Sequence, residues 1–276
     1  MKRTVAGAVS LFLCVLFSNC NGGPSQTTPR TPANPTSTTS PAFVQAVPAS
    51  CSQCSNGLSV AITVKAGDAI VVPLWFNALN VEVQVSDSNH DLFYLWASVP
   101  TADLNNSPAS LFVAQGVVGG PTTVNLTFGC SQAPCDPQSG APASVFAGAL
   151  EYQNITHGLD ASIIASGSLT QQTQGQVIES GAFVTHISNE LAFGMGMANF
   201  GMQAGSGWTA RLGCNPSQSA TVGSGAGYFC FEEEAAPQAD SFNATFATDF
   251  NSGGGLGGPP TSGSPNGYGI AAFSVY

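Results

Sequence analysis

The sequence predicts an all-β fold, an antiparallel β-sandwich of jelly-roll-like layout, on three observations. Its 276 residues include 32 Gly and 18 Pro, residues that punctuate strands and interrupt helices. Short apolar runs recur along the chain with Gly, Asn, Asp and Ser between them, the spacing of many short strands. No stretch carries the long 3.6-residue apolar period of an amphipathic helix. A β-rich domain absorbs about 200 to 250 residues without splitting, so one sandwich domain is expected over residues 43–276.

The amino terminus stands apart from this body. Lys2 and Arg3 precede an apolar run over residues 5–17, the layout of a secretory signal whose hydrophobic stretch is too short to span a bilayer comfortably. Residues 1–20 are therefore read as a signal peptide. Leu16-Phe17-Ser18-Asn19-Cys20 resembles the lipobox of bacterial lipoproteins, with Cys20 in the place of the lipidated cysteine. Phe17 and Asn19 depart from that pattern, so lipidation at Cys20 and ordinary cleavage nearby both stay open. Residues 21–42 are rich in Pro, Thr and Ser with little to bury, which is the composition of a disordered or extended linker. The expected setting is extracytoplasmic, secreted or held on a membrane through an N-terminal lipid alone.

Residues 58–64 open the body. Val60, Ile62 and Val64 alternate with Ala61 and Thr63, the period of a half-buried strand. Gly67-Asp68 turns the chain into residues 70–76, which are apolar on both faces and read as a strand covered on both sides. Pro73 sits awkwardly there, because proline cannot donate to a ladder and favours edges or bulges. Residues 81–85 alternate valines with Glu82 and Gln84, residues 87–91 turn, and residues 92–97 return with Tyr94 and Trp96 on one face. Together these three strands read as a meander. Further strands are expected over residues 111–117, 122–128, 145–152, 162–166, 176–178, 191–197, 208–212, 226–231, 241–247 and 267–276, with a flexible loop over 252–265.

Three landmarks carry a family resemblance: Val85-Ser86-Asp87-Ser88 followed by Tyr94, then Leu150-Glu151-Tyr152, then Gly207-Trp208-Thr209-Ala210-Arg211. They resemble a loose group of bacterial secreted β-sandwich domains, in which an early strand ends in V-x-D-S, a middle strand in E-Y, and a later one opens G-W. The group implies a sandwich fold and an exported setting, and it carries over no catalytic residue. This chain has Asn89-His90-Asp91 where the group usually has Gly-Asn.

Eight cysteines are present. Cys14 and Cys20 belong to the amino terminus, leaving Cys51, Cys54, Cys130, Cys135, Cys214 and Cys230, which in an exported domain imply disulfides. Loop proximity favours Cys51 with Cys54, Cys130 with Cys135, and Cys214 with Cys230. A four-thiolate zinc site from Cys51, Cys54, Cys130 and Cys135 is the competing arrangement.

Fifteen acidic residues stand against five basic ones, a field that repels nucleic acid and anionic lipid, so neither is an expected partner. Asp87, Asn89 and Asp91 place oxygen ligands at alternate positions as calcium loops do, making calcium the one candidate ion, although the following glycine and distal Glu are missing. A polar turn explains the same residues. Trp75, Tyr94 and Trp96 fall on what reads as one face of neighbouring strands, and an aromatic face with polar edges binds flat ligands such as sugars. Equally, the three can be core. Glu151 with one of Glu232, Glu233 or Glu234 offers the paired carboxylates of a glycosidase. His90, His157 and His186 are scattered and no G-x-S-x-G elbow accompanies them, and Gly194-Met195-Gly196-Met197 has no following helix to make a phosphate loop. The expected function is an exported, non-enzymatic binding or adhesion domain for a glycan or cell-surface component, without a cofactor. A glycan-active hydrolase is the first alternative, and a structural envelope or extracellular component is the second.

Overall fold

A computed structural model describes residues 39–52, 54, 57–78, 81–99, 108–130, 144–169, 173–214, 228–249 and 266–276. The expected signal peptide, Cys20, most of the linker, Cys135 and the loop at 252–265 lie outside them. Every regular element among the described residues is a strand, as the sequence predicts. In chain order they are β1 (Ala42–Ser52), β2 (Leu58–Val64), β3 (Ala69–Asn77), β4 (Val81–Asp87), β5 (Tyr94–Val99), β6 (Ala109–Ala114), β7 (Gly120–Cys130), β8 (Ser144–Gln153) and β9 (Leu159–Leu169). The second half contributes β10 (Val177–Glu179), β11 (Phe183–Val184), β12 (Glu190–Ala198), β13 (Gly201–Ala204), β14 (Thr209–Leu212), β15 (Tyr228–Ala236), β16 (Ser241–Phe242), β17 (Thr245–Asp249) and β18 (Asn266–Val275).

The strands pair into two five-stranded sheets, β1-β8-β3-β6-β5 and β14-β15-β12-β18-β9, and two three-stranded sheets, β2-β7-β4 and β10-β17-β13. A short β11-β16 ladder continues the last of these. All pairs are antiparallel. Counted within each half, and taking β10 with β11 and β16 with β17 as single interrupted strands, both halves have the same order: 1-8-3-6-5 in the large sheet and 2-7-4 in the small one. That is jelly-roll connectivity with the fifth strand moved beside the sixth. The sandwich is therefore doubled, and residues 34–276 hold both rolls in one compact unit.

Even the irregularities repeat. An extra residue bulges from the first strand of each roll, Val44 in β1 and the 160–161 segment in β9. Another bulges from each fifth strand, Trp96 in β5 and Arg211 in β14. Aligning the bulges makes Tyr152 equivalent to Val275, Phe43 to Leu159 and Asp68 to Glu190.

Three apolar cores separate four layers. Val60, Ile62, Val64, Val124 and Leu126 of the first outer sheet pack on Ile70, Val72, Leu74, Ala147 and Ala149. Val71, Trp75, Leu111, Leu150 and Tyr152 turn the other way, onto Leu191, Phe193, Met195, Phe229, Phe231 and Phe273 of the second large sheet. Behind that sheet, Ala192, Ala198, Cys230, Ile270 and Ala272 meet Ile178, Phe183, Met202 and Phe246. Each large sheet is thus covered on both faces, which is why residues 70–76 are apolar throughout. The first strand of each roll lies over the fifth strand of the other, β1 with β14 and β9 with β5, the arrangement of a two-fold dimer fused into one chain.

Two sequence readings find their physical reason here. The meander does not exist, because β3 belongs to the large sheet, β4 to the small one and β5 to the large one again. Pro73 does sit in a central strand: its missing donor falls where the β3–β8 pairing is interrupted between Val71 and Leu74, while it stays opposite Leu111 on β6. The Gly-Met alternation of β12 also resolves. Met195 and Met197 enter the core between the large sheets, whereas a Cβ on Gly194 would stand 2.7 Å from Glu232 Oε1 and one on Gly196 2.9 Å from the Phe246 ring. The glycines clear space for those two side chains.

Phe193 is fully buried and its ring meets Tyr152, Phe231 and Phe273 at centroid separations of 5.3, 5.3 and 5.4 Å. Phe193→Ala is expected to cost about 3–5 kcal/mol, read as a lowered midpoint in urea unfolding. A loss within experimental error would show that the two large sheets do not depend on this contact.

Candidate functional site

Four connections converge at one end of the first roll and are tied together by main-chain and side-chain hydrogen bonds. The β2–β3 turn donates from Gly67 N–H to the Val117 carbonyl at 3.0 Å, and Val117 N–H returns to the Asp68 carbonyl at 3.0 Å. Lys65 N–H donates to Glu151 Oε1 at 2.7 Å, while Gln45 Nε2 donates to Glu151 Oε2 and to the Thr63 carbonyl, both at 2.6 Å. Gln115 Nε2 reaches the His157 carbonyl at 2.8 Å, and His157 stacks on Tyr276.

The turn between β4 and β5 is built on Asp87. Its Oδ1 accepts from Asn89 N–H at 3.0 Å and Asp91 N–H at 2.9 Å, an Asx-type turn that places His90 at φ 64°. Asn89 Nδ2 donates to the Val118 carbonyl at 3.2 Å and to Thr122 Oγ1 at 2.7 Å, and Asp91 accepts from Val118 N–H at 3.1 Å. Asp87, Asn89 and Asp91 are thus brought together by bonding to the backbone and to each other. Among the described residues there is no group of three or more His, Cys, Asp or Glu able to hold a metal ion.

Around this turn the surface is apolar. Leu92 is 72%, Tyr94 58%, Leu95 56% and Val118 58% exposed, in a chain whose other large apolar side chains are mostly interior. β5 is an edge strand, and register fixes what each side chain faces. Tyr94 pairs with Val113 and Leu95 with Phe112, so they lie on opposite faces of the edge. Trp75 and Trp96 share the Tyr94 face, which is the face covered by the second large sheet. Trp75 is 2% exposed inside that core and Trp96 packs against it. Of the three aromatics Tyr94 is the most exposed, Trp96 being partly buried and Trp75 interior. Sequence alternation located Tyr94 but not Leu95 or Val118; the signal for Val118 is an apolar pair, Val117-Val118, standing before Gly119-Gly120 in a turn.

The carboxylates of the hydrolase alternative do not meet. Glu151 follows the parity of Val145, Ala147 and Ala149 and faces the first outer sheet. Glu232 points into the core of the second roll, where Gly205 N–H donates to its Oε2 at 2.9 Å and its Oε1 has no partner among the described residues. Glu233 faces the junction of the rolls, accepting from Tyr152 Oη at 2.6 Å and pairing with Arg211, whose guanidinium lies 4.0 Å from the Phe43 ring centroid. Burial, with the Glu233 charge beside it, pushes the Tyr152 phenol well above its usual range, so it stays a donor.

Buried or half-buried carboxyls recur in this chain, Asp91 being half-buried. Burial, reinforced by Glu151, raises Asp68, and burial, reinforced by Asp87, raises Asp91. In the second roll burial, aided by Asp160, pushes Glu190 up to about 7. Glu232 is pushed up to about 8 by burial, against the pull of Gly205 N–H.

Cys51–Cys54 and Cys214–Cys230 are disulfides. The first removes two thiols from the zinc alternative; the Cys130–Cys135 pairing lies outside the described residues.

No family model and no curated protein matches this sequence. Among solved structures, the chain is similar to a "putative secreted protein" from Eubacterium rectale, at 10% identity and a TM-score of 0.25, over 79% of this chain and 69% of that one. A likeness at that score carries no argument about fold or function.

Two predictions follow from the charges. Glu232 binds its proton more tightly folded than unfolded, so its contribution is fully present below about pH 4.5 and is lost as pH rises through about 8. Urea midpoints should therefore fall between about pH 5 and 8, and Glu232→Gln, which keeps an acceptor for Gly205 N–H, should flatten that slope. An unchanged slope would contradict the assignment. Arg211→Ala leaves Glu233 buried without its cation and is expected to cost about 3–5 kcal/mol in the same assay, with Arg211→Met and Glu233→Gln combined recovering part of the loss.

Proposed function

We propose that this chain is an extracytoplasmic, non-enzymatic binding domain whose ligand is a carbohydrate held at the loop end of the first roll. The observation that carries the reading is the exposed Tyr94 ring at the start of β5, three residues after Asp91 in the same connection, with Leu92 and Val118 also exposed at this end of the roll. A tyrosine face stacks on the C–H face of a sugar, and flanking carboxylates accept from its hydroxyls. Two disulfides among the described residues support a setting outside the reducing cytoplasm. Glycosidic hydrolysis needs two carboxyls about 5 to 9.5 Å apart across a bound sugar, and no observation favours it, since Glu151 and Glu232 face the cores of different rolls. A purely structural extracellular component predicts neither binding nor turnover.

A glycan array followed by calorimetric titration tests this. Tyr94→Ala is expected to weaken binding of the selected glycan roughly tenfold, the loss of one aromatic stack of about 1.4 kcal/mol, with the thermal midpoint unchanged because the ring is exposed. Absence of any glycan binding by the wild-type chain would overturn the proposal. Turnover of a bound glycan would move the assignment to the hydrolase class.

A further inference from the structure

Edge strands are a hazard that proteins blunt with proline, bulges or brevity, and this molecule blunts its edges unequally. In the first large sheet, β1 carries Pro48 and ends at the Cys51–Cys54 clip, and β5 is six residues long with a bulge at Trp96. In the second, β14 has four residues with a bulge at Arg211. β9 is different. It runs for 11 residues, pairs on one side with β18, and has no described strand on its other side. It contains no proline, and beyond its start its pairing with β18 is regular from Ser162 to Leu169. The alignment of the two rolls makes Ile164 the equivalent of Pro48: where the first roll protects its edge, the second displays an isoleucine that is 50% exposed.

The β9 sequence is close to a palindrome about that isoleucine. Reading outward from Ile164, the residues pair as Ile163 with Ala165, Ser162 with Ser166, Ala161 with Gly167, Asp160 with Ser168 and Leu159 with Leu169. An antiparallel pairing of two copies across a two-fold axis at Ile164 creates the central pairs, Ile164 with itself, Ile163 with Ala165 and Ser162 with Ser166, within the regular stretch beyond the bulge at residues 160–161. It sets isoleucine beside isoleucine at the axis and serine beside serine two residues out, and opposes no two charges, which matters in a chain of net charge −10. A residue-centred register also preserves the side-chain parity, so Ser162, Ile164 and Ser166 stay on the face turned toward β5 in both copies, and the layers of one copy continue those of the other.

We propose that β9 is a self-association surface: two copies of this chain pair their β9 edges antiparallel about Ile164, joining the second large sheets into one ten-stranded sheet. The contact is isologous, with main-chain hydrogen bonds supplying affinity and the Ile164–Ile164 pair fixing register. The inference does not rest on the carbohydrate reading and is tested without a glycan.

Sedimentation velocity on the full chain, over roughly a hundredfold range of concentration up to about 1 mM, should show a reversible monomer–dimer equilibrium. Ile164→Lys places two like charges opposite each other at the axis and should weaken the dimer at least roughly tenfold. Circular dichroism and the thermal midpoint should not move, because the side chain is half-exposed in the monomer. Ile164→Cys should cross-link with itself under mild oxidation, since either type of antiparallel pair brings the Cα atoms within disulfide reach. A wild-type chain that stays monomeric throughout, or a dimer that Ile164→Lys leaves intact, overturns the proposal.

Discussion

The packing of the two large sheets against each other is the constraint on which the rest of this structure depends. A sheet with one apolar face needs one cover; β3 and β12 are apolar on both faces and need two. Each roll supplies a cover from its own small sheet, and the second cover has to be the other roll. Phe193, at the middle of the contact, touches aromatic rings from β8, β15 and β18. A polar cluster in that core joins Arg211, Glu233 and Tyr152 under the Phe43 ring, with Arg211 Nε left without a partner among the described residues. The rolls are two copies of one topology, yet neither has a solvent-compatible inner face by itself.

From this follows the distribution of charge and of surface. With so much of the chain spent on apolar layers, acidic side chains that arise on inward positions are retained as carboxyls whose proton affinity is raised by burial, as at Asp68, Glu190 and Glu232. Asp68 and Glu190 occupy the same position in the two rolls, Asp68 just ahead of β3 and Glu190 opening β12, so this burial is a feature of the topology rather than of one site. The exposed large apolar side chains among the described residues include Tyr94 and Leu95 on β5, with Leu92 and Val118 beside the same turn, and Ile164 on β9. The two proposed contacts of this molecule, with a glycan and with a second copy of itself, both use side chains at the uncovered end of a layer.

Much of the fold was legible in the sequence because strand alternation is local. The bounds of β2 coincide with the expected residues 58–64, and β3, β7, β8, β12 and β18 agree to within a few residues. β1 escaped because Ala42–Ser52 has Pro48 near its centre and no clean alternation, so this opening part of the sandwich domain carried no strand signal. Doubling of the sandwich escaped for a different reason. Equivalent positions keep their backbone geometry and exchange their chemistry, Trp96 for Arg211 and Tyr152 for Val275, so no sequence period survives. At the candidate site, Trp75 and Trp96 pack in the core between the large sheets, but β3 and β5 are not neighbours, since β6 lies between them, and Trp96 sits at a bulge. Alternation could not say which face the second roll would cover, and that cover leaves Tyr94 the most exposed of the three.

Native-state hydrogen exchange with mass-spectrometric readout tests the central claim, that the two rolls are one cooperative unit held by the junction of their large sheets. The account predicts that peptides spanning β3 and β12 form a single slowest-exchanging class, opening together with the global unfolding free energy under increasing denaturant. Exchange of β12 at a lower free energy while β3 remains protected, or the reverse, would show that the rolls open independently and would contradict it.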